Sequence, residues 1–124
     1  MARILIAEDE ESVRALVMRA LTQDGHEVVA TADGAEALDV LQRERGRFDL
    51  LLTDVKMPMM DGLELALAAA RDFPALPIVL MTGYADQRER ASGLDVLIRD
   101  VIAKPFTLAE LRFSVAAALP KNRR

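Results

Sequence analysis

Three short apolar runs punctuate the chain, "ILIA" (4–7), "LLLT" (50–53) and "IVLM" (78–81), and polar residues follow each one closely. Runs of this length, apolar at successive positions, predict strands buried on both faces of a sheet. A fourth run, "VIA" (101–103), is weaker, and "EVVATA" (27–32) is more mixed, as an edge strand would be. Between the runs, apolar residues recur at helical spacing. Val13, Leu16, Val17, Ala20 and Leu21 stand three and four residues apart, with Gly25 as a stop. Ala37, Leu38 and Leu41 follow the turn "ADG" in a helix predicted to end near Gly46. A third helix, 63–73, stops before Pro74. The last, 108–119, has Thr107 as N-cap, Glu110 completing a capping box, and Pro120 as its end. After Thr82 the polar stretch "DQRERAS" (86–92) predicts a short or irregular helix, interrupted by Gly93. The alternation amounts to five β–α units, hence a parallel sheet with helices on both faces.

Length allows one domain, residues 1–124, in which 120–124 form a short basic tail. With 52% hydrophobic and 29% charged residues the chain is globular, not disordered. Aromatic residues make up only 4% and Trp is absent, so the core must be aliphatic. A net charge of −4 argues against nucleic-acid binding, which needs a basic face. Cysteine is absent, which excludes disulfides and thiolate metal sites. The apolar run in "MARILIAEDEE" is too short for a signal peptide, and no stretch approaches a membrane span. A soluble cytoplasmic domain that does not engage membranes is expected.

The polar residues at the strand ends change the picture most. Glu8 and Asp9 follow the first run, Asp54 the "LLLT" run, Thr82 the "IVLM" run, and Lys104 the "VIA" run. Ligand crevices of open α/β sheets lie outside the carboxyl ends of the strands. If these strands are neighbours, all five side chains converge on one mouth. Two carboxylates about 4 Å apart repel by roughly 4 kcal/mol at an effective dielectric near 20. Three therefore need compensation, and Lys104 brings only one charge. A divalent ion would supply the rest, and oxygen ligands without Cys or His favour Mg2+. A carboxylate beside Mg2+, a lysine and a hydroxyl is suited to accept a phosphoryl group.

"AEDE" (7–10), "DVKMPMMDG" (54–62), "TG" (82–83) and "KPF" (104–106) resemble the landmarks of the receiver domain of two-component response regulators. The resemblance covers the whole chain, with spacings of 45, 28 and 22 residues separating Asp9, Asp54, Thr82 and Lys104. It implies a flavodoxin-like (βα)5 doubly wound parallel sheet in the order 2-1-3-4-5, the order of flavodoxin and CheY. It also implies that Asp54 is the phosphorylated residue, that Asp9 binds Mg2+ directly and Glu8 through water, and that the Lys56 backbone carbonyl is a further ligand. Lys104 would pair with the phosphoryl group, and Thr82 would hydrogen-bond to it and shift on activation. The Lys104–Pro105 bond would be cis. The phosphoryl donor would be a histidine kinase or phosphotransfer protein, self-dephosphorylation would be slow, and a downstream protein would read the phosphorylated state. The chain is similar to stand-alone receivers, monomeric or weakly homodimeric, and more narrowly to the CpdR type, an adaptor for an AAA+ protease. The partner surface is expected on the region after Thr82, the last strand and helix 107–119.

One position departs from the family. Receivers commonly carry an aromatic residue three positions before the lysine, where this chain has Val101, without a ring and stiff at χ1. Tyr84, two residues after Thr82 and the aromatic nearest to that threonine in sequence, would carry part of the switch or cap the crevice rim. Other residues have plainer readings. His26 is expected in a solvated turn, Met57, Met59 and Met60 in loop packing, and "RERGR" (43–47) at a solvated helix end. Glu8 and Asp9 could also cap the first helix. An aspartate-nucleophile phosphohydrolase would need a second acid two residues after Asp54, where Lys56 stands. A dinucleotide-binding domain fails because "AEDEES" replaces the Gly-rich turn.

Overall fold

Leu50–Asp54 and Ile78–Thr82 are buried at every position, as continuous apolar runs predict for strands covered on both faces. The computed structural model describes residues 2–83, 91 and 93–120. In chain order the elements are β1 (Arg3–Ala7), α1 (Glu11–Gln23), β2 (Glu27–Thr31), α2 (Gly34–Arg43), β3 (Leu50–Asp54), α3 (Gly62–Asp72), β4 (Ile78–Thr82), β5 (Asp100–Ala103) and α4 (Leu108–Ala118). All strands are parallel, in the order β2-β1-β3-β4-β5. The mixed second run is therefore at an edge, as expected. The helix expected at 86–92 lies outside the described residues except for Ala91, which is buried in the core.

Period-2 alternation divides the sheet's side chains between two aliphatic layers. Ile4, Ile6, Leu50, Leu52, Val79 and Met81 share one layer with Val17 and Leu21 of α1 and Leu111 and Val115 of α4. Leu5, Leu51, Ile78 and Leu80 share the other with Leu41 of α2 and Leu65 and Ala69 of α3. Caps fix the helix starts. Asp61 and Glu64 form a capping box on α3, and Thr107 and Glu110 form the expected one on α4. The end of α1 lacks a basic residue of its own. Arg112 of α4 supplies it, donating to the Asp24 carboxylate at 3.0 Å and the Ala20 carbonyl at 3.4 Å.

One expectation needs correction. His26 is half-buried rather than solvated, and its Nδ1 accepts the Ala2 N–H at 3.2 Å. Burial pushes its pKa below the usual imidazole value. Leu16, one of the helically spaced apolar residues of α1, is 46% exposed. Three-and-four spacing marks a helix but does not say how wide its covered stripe is.

The methionines in the loop after β3 divide. Met57 is buried and Met60 packs on the core, as expected of loop packing, whereas Met59 is 85% exposed. Its backbone has φ +70°, and the Met60 N–H donates to the Pro58 carbonyl at 2.8 Å, so Met59 is the centre of a strained γ-turn. Met59→Gly should raise stability by about 0.5–1 kcal/mol, the left-handed penalty less glycine's extra unfolded-state entropy. An unchanged or lower urea midpoint would show that the turn carries no such strain.

Candidate functional site

The carboxyl ends of β1, β3, β4 and β5 lie side by side, with Ala7 paired to Thr53, Asp54 to Met81 and Thr82 to Ala103. This register, set by strands that cannot slip without turning apolar side chains outward, carries the polar residues to one mouth. Glu8 comes one residue after β1 and is wholly buried. Its Oε1 accepts from Lys104 Nζ at 2.8 Å and its Oε2 from the Glu10 N–H at 3.0 Å. Glu10 is the N-cap residue of α1 and has no side-chain cap of its own. Glu8 therefore supports the helix start, while Asp9 is exposed.

Asp54, the last residue of β3, is 7% exposed. Its Oδ1 accepts the Val55 N–H at 3.0 Å, and its Oδ2 lies 3.2 Å from Lys104 Nζ. Lys104 thus bridges Glu8 and Asp54. One carboxylate oxygen from each of Glu8, Asp9 and Asp54 lies within 4.8 Å of the others. A cleft of about 530 Å³ opens here, lined on its polar side by Asp9, Asp54, Lys56 and Lys104. Its apolar side includes Leu16 and Phe106. Neither received a site role from sequence, although Phe106 belongs to the quoted "KPF". The Lys104–Pro105 bond is cis, as the resemblance implied.

Thr82 closes β4 next to Gly83, which lines the cleft. The Thr82 hydroxyl is buried and has no hydrogen-bond partner, the one such side-chain atom among the described residues. An unsatisfied buried hydroxyl costs about 1–3 kcal/mol, so it is a donor awaiting an acceptor. Its carbonyl takes the Lys104 N–H at 2.7 Å, tying the ends of β4 and β5 together. Tyr84 lies outside the described residues. Val101 is half-buried against the core, pairs with Leu80 and does not line the cleft.

Burial pushes the Glu8 and Asp54 carboxyls up from their ordinary values, against the pull of Lys104. The charge of Asp9 adds to the rise at Asp54. For Lys104 burial acts downward, but the hydrogen bond to Glu8 and the charge of Asp54 outweigh it, and the ammonium is held more firmly than usual. The acids at the mouth outnumber its two lysines, Lys56 and Lys104, and leave it short of positive charge. An all-oxygen donor set of this kind suits a hard divalent cation.

Fold and site together define a phosphoacceptor module of the two-component type, and residues 4–116 match the response regulator receiver domain, so the chain belongs to that family. The response regulators MprA of Mycobacterium avium (strain 104) and Mycobacterium tuberculosis (strain ATCC 25618 / H37Rv) are each 37% identical to it over 121 residues, 98% of this chain and 52% of theirs. The chain thus spans about half the length of the curated relatives it matches. Among solved structures, the chemotaxis response regulator CheY4 of Vibrio cholerae superposes with a TM-score of 0.84 at 31% identity, covering 96% of this chain and 99% of that one. The response regulator TrrA of Thermotoga maritima, in complex with Mg2+-BeF, gives the same TM-score and identity over 96% of this chain and 100% of its own. The fold is flavodoxin-like in the expected strand order. Among the described residues, no helix is long and apolar enough to cross a membrane.

Proposed function

We propose that Asp54 accepts a phosphoryl group in a Mg2+-dependent reaction, from a histidine kinase or phosphotransfer protein, and that the modified domain changes its binding to a partner protein. The observation that carries this reading is the bridge from Lys104 to Glu8 and Asp54 beside Asp9, all at the ends of adjacent strands. An Asp54 carboxylate oxygen attacks the phosphorus, a new P–O bond forms, and the bond to the donor's nitrogen breaks with its electron pair leaving on the imidazole. Lys104 stays protonated and offers N–H bonds to a transferring oxygen. The buried Thr82 hydroxyl donates to another, which satisfies the group now without a partner. Asp9 directly, Glu8 through water, Asp54 and the Lys56 carbonyl would hold Mg2+. The ion would neutralise charge on the phosphoryl oxygens. The Mg2+-BeF complex of TrrA supports an ion of this kind in the cleft.

Hydrolysis of the aspartyl phosphate is slow in this reading, because no second acid stands two residues after Asp54 to activate water; Lys56 is there. Lys104 and Thr82 lead into β5 and α4, where Phe113 is 77% exposed, and Val96 on the preceding turn is 95% exposed. The response surface belongs on that side. Val101 offers no ring, so Tyr84 carries the aromatic part of the response. Amide and ring NMR shifts on adding beryllofluoride and Mg2+ test all of this at once. Shifts at Thr82, Tyr84, β5 and α4, absent in Asp54→Ala protein, are expected. Shifts confined to α1 and α2 would contradict the proposed surface, and an unmoved Tyr84 ring would leave the signal to the backbone alone.

A further inference from the structure

The loop from β3 to α3 is held on two sides by glycines with no room for a side chain. The Gly62 N–H donates to the Val55 carbonyl at 2.7 Å and closes the loop, while a Cβ on Gly62 would overlap the Asp54 carbonyl. On the other side Gly34, the first residue of α2, donates its N–H to the Met60 carbonyl at 3.2 Å. A Cβ on Gly34 would fall inside the radius of that same oxygen. The γ-turn at Met59 joins this contact to Pro58, whose ring fixes φ. A push on the Met60 carbonyl therefore has little slack to absorb it before Lys56 and Asp54. No residue of α2 lines the cleft, so its influence there must pass through the loop.

We propose that Gly34 is a positioning residue for the acidic cleft. By letting the first N–H of α2 reach the Met60 carbonyl, it sets where loop 55–61 stands, and with it the Lys56 carbonyl and the Asp54 carboxylate. This assignment rests on the reading of the cleft as a Mg2+ site. It makes α2 a control on metal affinity, although α2 contributes no ligand.

Gly34→Ala tests it, with Gly46→Ala as a control for lost stability. Gly46 lies beyond the far end of α2, has φ +69° and sits against the Phe73 ring, so alanine there strains the structure without touching the loop. Mg2+ affinity is measured by calorimetry at a temperature where circular dichroism shows both variants folded. Gly34→Ala should bind Mg2+ about tenfold more weakly, as when the support behind a metal ligand is lost, and Gly46→Ala should bind like wild type. Equal affinity in Gly34→Ala and wild type would overturn the assignment, as would equal weakening in both variants. Wild-type NMR serves if Gly34→Ala does not fold: the Gly34 amide should shift in step with Lys56 during Mg2+ titration, and a static Gly34 amide overturns the proposal. Absence of any Mg2+ binding by wild type would instead remove the reading of the cleft itself.

Discussion

Lys104→Met protein is expected to lose about 2–3 kcal/mol of stability at neutral pH without divalent metal, because two buried carboxylates lose their shared cation. Breaking a fully buried pair costs about 3–5 kcal/mol. The smaller figure reflects the 22% exposure of the Lys104 side chain, through which water screens the acids. The loss should depend on pH. Burial raises the Glu8 and Asp54 pKa values above 4.5 and 3.8, so the native state holds protons that the unfolded chain has released. Stability then falls as pH rises from those unfolded values through the raised native ones. Without Lys104 both carboxyls rise further, so the deficit is small in acid and full at neutral pH. At the alkaline end the contribution of Lys104 persists up to 10.5 and is lost only as pH rises through its higher native value.

Mg2+ should offset much of this deficit, since ligand at a hundredfold excess over its dissociation constant adds about 2.7 kcal/mol. Asp54→Ala should stabilise metal-free protein for the same reason, by removing one of the repelling charges. Urea midpoints in EDTA and in millimolar Mg2+, at acidic and neutral pH, measure each of these effects. A Lys104→Met midpoint equal to wild type in EDTA would mean that the acids do not depend on this cation.

Much of this site is legible in the sequence because burial is. A strand covered on both faces reads as an unbroken apolar run, so a carboxylate or hydroxyl at its end is conspicuous at Asp54 and Thr82. Alternation with helices makes the sheet parallel, and parallel strands present their carboxyl ends on one side. The order of the strands came from family resemblance, since apolar runs do not rank themselves. Other features depend on contacts that residue type does not encode. Leu16 keeps helical spacing yet stands at the rim of the cleft. Met59 occupies a left-handed γ-turn that nothing in a methionine announces. His26 looked like a solvated turn residue, but its ring accepts from Ala2, just ahead of β1. The resemblance gave Lys104 a phosphoryl partner, and the structure shows it spanning Glu8 and Asp54.

The largest effect expected of any substitution is at Asp54 itself. Asparagine keeps the shape of the side chain but has no anionic oxygen to attack phosphorus. Glu8 and Asp9 remain in Asp54→Asn protein, so it isolates the acceptor from the rest of the acidic mouth. Intact mass spectrometry after incubation with a small acyl phosphate, with Mg2+ or with EDTA, is the most direct measurement. One phosphoryl group added to wild type in Mg2+, little in EDTA and none on Asp54→Asn in either is the predicted result; equal addition to wild type and Asp54→Asn would contradict the assignment.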